Sequence, residues 1–268
     1  KFELAQIPMF IILGVLCGLM SYYFTSVNTA VGRFFRRFDS QYKKWAVGGV
    51  LIGVLIFIFP PLYGEGYEAM TALMRGETHS LFDNSLFFRF SSIEWVVILF
   101  VVATMLFKVV AMAATNSAGG VGGTFAPSLF VGSFIGALTA LVFNMIFRWA
   151  GFDMQLSIVS FTLVGMAGVM AGVMNAPLTS IFLIAELSNG YELFIPLMIT
   201  ASISFAVDYY LNPDSIYTKQ LRERGELLTH NKDQSVLVFL HIDRLMETDF
   251  LRIDESFTLG DIVKIISK

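Results

Sequence analysis

Four apolar stretches in this chain are each long enough to cross a bilayer as a helix: 7–24 (IPMFIILGVLCGLMSYYF), 93–114, 128–148 and 191–210. A hydrocarbon core of about 30 Å asks for roughly 17–25 apolar residues. Backbone inside that core must satisfy its own hydrogen bonds, so a chain with four such stretches is committed to a bundle of membrane helices. Three further stretches, 45–60, 156–173 and 177–188, are short for a crossing. They read as tilted helices, or as re-entrant helices that enter the bilayer and stop part way. The expected fold is all-α and multi-pass.

Composition narrows the alternatives. Of the 268 residues 56% are hydrophobic and 15% charged, where a soluble domain carries about a quarter charged residues. Abundant apolar side chains with a net charge of -3 are the reverse of a disordered composition. With Cys17 alone no internal disulfide forms. The near-neutral balance offers no general attraction to nucleic acid. The average conceals a break: 21 of the 39 charged residues lie in 1–211 and the other 18 in the last 57 positions. A membrane region is thus followed by a polar tail. No n-region, h-region and small-residue cleavage site occur in order at the start, so a signal peptide is not expected.

Between the first two apolar stretches lie Arg33, Arg36, Arg37, Lys43 and Lys44, against one acid, Asp39. A short basic loop belongs on the cytoplasmic side; a merely solvated loop is the blander reading. Pro60 and Pro61 end the next apolar stretch, because proline lacks an amide donor and restricts the residue before it. Glu65 and Glu68 follow, as mouth charges or as solvated loop acids. Lys108, inside an apolar stretch, is expected to snorkel toward an interface.

The segment Asn116 to Pro127, NSAGGVGGTFAP, carries the most chemistry. Gly119, Gly120, Gly122 and Gly123 break the helix and let backbone approach closely. Pro127 suits the first turn of the helix that follows. Such a helix would present its amides and positive dipole end within the membrane, which attracts anions without a fixed positive side chain. A flexible linker between packed helices is the competing reading. No Gly-Lys-Ser/Thr follows, so this is not a phosphate loop.

A second broken element follows. Gly165, Gly168 and Gly172 favour close helix packing. Asn175-Ala176-Pro177 then restarts a helix ending near Glu186. Interrupted segments of this kind point to a transporter's binding region. Glu186 reads either as a proton relay or, preferably, as a carboxylate satisfying nearby amides.

These motifs carry a resemblance. GGTFAP (Gly122 to Pro127), NAPLTSIFLIAELSNGYELFIPLM (Asn175 to Met198) and DSIYTKQL (Asp214 to Leu221), in that order, resemble the C-terminal half of the CLC family of chloride channels and chloride/proton antiporters. The resemblance implies an inverted-repeat transporter fold over 1–225, represented by its C-terminal repeat. It also implies anion binding by Gly122, Gly123, Thr124, Phe125, Ala126 and Pro127, chiefly through the Thr124 and Phe125 amides, and by the Tyr217 hydroxyl. It further implies transport of chloride, with protons as a second substrate if the chain is of the antiporter type, no resident cofactor and no enzymatic activity. A homodimer in the lipid of the cell membrane is expected too, with contacts partly from 7–24, 177–188 and 191–210. The serine and gating-glutamate motifs of the family match no segment here, and channel and antiporter stay undivided.

Residues 226–268 read as a cytoplasmic linker and the start of a CBS domain, a short α/β tail. Strands are expected at Val236–Ile242 and Phe250–Ile253, with a helix from Thr258, a plausible N-cap. A complete CBS pair often binds adenine nucleotides. The alternative function is therefore a membrane-anchored nucleotide sensor.

Overall fold

The computed structural model describes residues 4–83, 85–90, 93–188, 191–213, 218, 219, 258–260 and 263. Two compact units, Lys1–Gln220 and Leu221–Lys268, divide the chain. In the second, Leu259, Gly260 and Val263 are helical, following Thr258. The expected strands at 236–242 and 250–253 lie outside the described residues, and so does Tyr217.

The first unit contains eight α-helices among the described residues: α1 (Ile7–Phe35), α2 (Gln41–Ile58), α3 (Tyr67–Met74), α4 (Glu94–Ser117), α5 (Phe125–Ala150), α6 (Ile158–Met174), α7 (Pro177–Leu187) and α8 (Phe194–Leu211). No strand occurs among the described residues. Five helical segments are long and apolar enough to cross a membrane: α1, α2, α4, α5 and Tyr191–Leu211, which is α8 with the 3-10 turn before it. The helix α2 gains this status by starting at Gln41, four residues before the apolar stretch begins. Its N-terminal Lys43 is exposed and Lys44 is partly so. Likewise α1 runs eleven residues past 24, because Thr25 and Asn28 bury their polar side chains among neighbouring helices. The basic loop shrinks to the turn 36–40. Phe59 caps α2 and Pro60–Leu62 forms a 3-10 turn, as the paired prolines require.

At the centre lies α6, buried continuously from Phe161 to Val173. Its glycines explain how so short a helix is enclosed. A Cβ on Gly165 would collide with the backbone of Gly132 and Gly136 in α5. One on Gly168 would meet the Cys17 side chain of α1, and one on Gly172 the side chain of Ser21. Small-residue faces of this kind let membrane helices approach at backbone distance, where dispersion contacts replace the missing hydrophobic drive. The Ser21 hydroxyl bridges this seam, donating to the Cys17 carbonyl at 2.9 Å and the Val169 carbonyl at 3.2 Å.

The pairings fix direction. Gly14 faces Ile203 and Gly18 faces Val207, so α1 and α8 run parallel. The Thr200 hydroxyl donates to the Phe10 carbonyl at 3.1 Å on the same seam. Gly132 faces Gly165 while Gly136 faces Phe161, so α5 and α6 are antiparallel. Tyr23 reaches the Leu106 carbonyl and Gly32 lies near Ser117, which makes α1 and α4 parallel. The start of α4 and the end of α5 therefore share the end of the bundle opposite the basic turn. Arg148 Nη2 donates there to both carboxylate oxygens of Glu94, at 2.8 and 2.9 Å.

Candidate functional site

The glycine segment breaks the polypeptide between α4 and α5 as its composition demands. Residues 118–123 are non-helical, and Thr124 is the N-cap of α5. Gly119 has φ +101°, a conformation that a side chain would strain. A Cβ there would also strike the Gln41 amide, whose nitrogen donates to the Ala118 carbonyl at 3.3 Å. A Cβ on Gly122 would come within 2.7 Å of Asn116 Oδ1. That oxygen is buried and has no hydrogen-bond partner among the described residues.

Pro127 falls within the first turn of α5, where an amide would have no intrahelical acceptor. The amides of Phe125 and Ala126 lie ahead of the first carbonyl four residues back inside the helix, so they project from its N-terminus. Thr124 is buried, its hydroxyl 4.0 Å from Met174 Sδ at the end of α6. The helix beyond is apolar and enclosed: Ala126 through Ala137 are all buried.

A cavity of about 400 Å³ opens beside this N-terminus. Gly122, Gly123, Phe125, Ala126 and Pro127 line one wall, Asn116 and Lys108 of α4 another, and Ile52, Ile56, Gly64 and Glu65 a third. Five of the six expected positions in 122–127 thus meet at one space; Thr124 turns toward α6 instead. Tyr217 lies outside the described residues.

Lys108 does not snorkel. It is 3% exposed, and its ammonium donates to the carbonyls of Leu62 at 3.3 Å and Gly64 at 2.9 Å. It also stands 4.6 Å from the centre of the Phe130 ring, a cation–π contact. The turn after Pro60-Pro61 folds its carbonyls inward and supplies an internal ligand, which is why the side chain need not reach water. This residue is the part of the cavity that sequence reasoning missed. The available signal was a lysine in an apolar helix, but its partners lie 44 and 46 positions earlier. Glu65 and Glu68 are exposed, with Glu65 on the cavity rim. Outside the spanning helices, burial first and the Glu65 side chain second hold the Tyr67 phenol above its ordinary range.

Glu186 is exposed at the end of α7, and Asn189 and Gly190, in the linker whose amides it is expected to satisfy, lie outside the described residues. Among the described residues, no three His, Cys, Asp or Glu side chains gather as a metal site. The arrangement is instead a membrane helix whose N-terminus ends in a cavity with one buried cation.

Comparison with known proteins adds an independent line. Residues 1–209 match the family model described as voltage gated chloride channel. An H(+)/Cl(-) exchange transporter ClcA of Salmonella agona is 28% identical over 220 residues, covering 78% of this chain and 41% of the relative. A crystal structure of a slow cyanobacterial Cl-/H+ antiporter superposes with a TM-score of 0.65 at 26% identity, covering 84% of this chain and 48% of that one. A eukaryotic CLC transporter shares the fold, with a TM-score of 0.64 at 18% identity over 84% of this chain and 36% of its own. The chain spans about two fifths of the length of the curated relatives it matches.

Proposed function

The chain belongs to the voltage gated chloride channel family, and from that premise we propose that it contributes the C-terminal half of an anion pathway across a membrane. One observation carries this reading: the N-terminus of α5 opens, at a helix break between two candidate spans, onto the cavity lined by Gly122, Gly123, Phe125, Ala126 and Pro127. Partial positive charge at a helix N-terminus attracts an anion by roughly half an elementary charge. An anion held only by amides and a dipole is released more readily than one paired to a fixed side chain, which suits conduction. The Lys108 ammonium adds positive potential, but its donors are turned to the 62–64 carbonyls, so it biases the cavity without closing on the ion.

In this reading the amides of Thr124 and Phe125 face the anion and Tyr217 adds a hydroxyl donor. Chloride is the transported ion, with protons as the second substrate if the assembly is an exchanger. The basic turn at Arg36 and Arg37 sits on the cytoplasmic side, as does the C-terminal tail. A homodimer in the cell membrane is supported by the bare face of the last helices: Leu178 and Phe182 of α7 and Ile195 and Met198 of α8 are exposed. Lipid covers whatever of the apolar exterior the second subunit does not.

The test is chloride efflux from liposomes carrying the chain extended upstream to the full length of its relatives. Efflux above that of protein-free vesicles is expected. Correctly inserted protein without anion flux would sink the proposal.

A further inference from the structure

A second cavity, about 520 Å³, lies at the opposite end of α5 from the glycine segment. Its floor is apolar, with Val97 and Ile98 of α4 and Leu141 and Met145 of α5. Its rim carries both signs of charge, Arg148 against Glu94 and Asp153, with the His79 imidazole as a further hydrogen-bonding group. The helix ends around it expose Trp95, Trp149 and Phe152. Tryptophans concentrate at the level of lipid headgroups, because the ring is apolar and its N–H seeks water or carbonyls. Leu99 and Ile146, adjoining the floor residues, are exposed as well, so an apolar surface continues from the cavity along both helices.

An apolar floor, a doubly charged rim and an interfacial level define an amphiphile with a zwitterionic head. We propose that this cavity binds the headgroup of an aminophospholipid of the phosphatidylethanolamine type. The phosphate meets Arg148 and His79, and the primary ammonium meets Asp153 and Glu94. The first methylenes of the acyl chains lie over Leu141 and Met145. The Arg148–Glu94 pair does not oppose this, since both side chains are largely exposed, at 66% and 58%, and an exposed pair adds little stability. Splitting it gives up two hydrogen bonds within one ion pair and forms two ion pairs, Arg148 with the phosphate and Glu94 with the ammonium. Two carboxylates at the rim disfavour an anionic head such as phosphatidylglycerol. A choline head has no N–H to donate to Asp153. The membrane setting is the only premise shared with the anion pathway, so absence of chloride flux leaves this assignment standing.

The experiment is native mass spectrometry of the full chain, titrated separately with phosphatidylethanolamine, phosphatidylcholine, phosphatidylglycerol and soluble phosphoethanolamine. Phosphatidylethanolamine is expected to be retained about tenfold over phosphatidylcholine, the worth of a hydrogen bond to a charged group. Asp153→Asn should erase that preference, and Arg148→Gln should weaken both lipids. Because both side chains lie on an exposed rim, a shared thermal-unfolding profile with the parent checks the fold. Equal retention of the ethanolamine and choline lipids overturns the proposal. So does preference for phosphatidylglycerol, or an unchanged preference in Asp153→Asn. Soluble phosphoethanolamine binding as well as the lipid overturns the assignment to a membrane source.

Discussion

Gln41 donates its side-chain amide to the Ala118 carbonyl at 3.3 Å, across 77 positions of sequence. The bond ties the first turn of α2, beside the basic turn, to the end of α4 where the glycine segment begins. Phe35, Ala114 and Ala118 form a small apolar cluster of their own at the same place. The end of the bundle that carries the basic turn is thus the footing of the proposed anion loop.

Gln41→Ala should loosen that footing. A single neutral hydrogen bond contributes about 1 kcal/mol, so the bundle should still fold, with thermal unfolding shifted by a few degrees at most. Chloride efflux should fall more than stability does. Efflux unchanged within error would remove Gln41 from any role in positioning residues 118–123.

Asn116→Asp places a carboxylate against Gly122 with almost no change in volume. Two unit charges about 4 Å apart repel by roughly 4 kcal/mol at an effective dielectric constant of 20. Anion flux should therefore drop by at least about tenfold. Equal flux in the variant and the parent, at a pH where the carboxylate is ionised, would place the anion elsewhere.

Lys108→Met removes the ammonium that serves the Leu62 and Gly64 carbonyls. Leaving the buried Leu62 carbonyl unpaired costs about 1–3 kcal/mol, while the partly exposed Gly64 carbonyl can turn to water; methionine keeps most of the packing against Phe130. Lower thermal stability and lower anion flux are both expected. A variant as stable as the parent would show that water replaces the ammonium at no cost.

Gly136→Ala tests the α5–α6 seam. Its Cβ would land on the Phe161 carbonyl, and neither backbone can yield. Overpacking of this sort costs about 1–3 kcal/mol or more. Gly53→Ala is the control, since nothing lies within 4 Å of its would-be Cβ. It should be neutral or slightly stabilising, as expected of alanine in an open helix position. Equal melting of the two variants would contradict the packing described.

Helix positions were legible wherever hydropathy and breakers agreed. The break at Gly119 to Gly123 and the start of α5 follow from local chain stiffness alone. The extent of α2 did not, because hydropathy discounts Gln41, Lys43 and Lys44, which fold as a solvated helical turn. Lys108 illustrates a deeper limit: whether an intramembrane lysine turns outward or inward depends on carbonyls that reach it only after the Pro60–Leu62 turn has formed. The Gly165, Gly168 and Gly172 pattern announced close packing, but α6 lies between α5 on one side and α1 with α8 on the other, and no spacing in one sequence distinguishes those neighbours. The Tyr217 expectation lies outside the described residues.

The pairing of α1 with α8 also bears on biogenesis. Thr200 meets Phe10 across 190 positions, whereas α5 and α6 are neighbours in sequence. Contacts that close long loops form late, because chain entropy must be overcome before they contribute. During synthesis the α5–α6 hairpin can therefore assemble first, while the Gly14 and Gly18 groove on α1 waits, unfilled, until α8 leaves the ribosome. A nascent chain halted before Phe194 would lack the Ile203 and Val207 side chains that pack on Gly14 and Gly18.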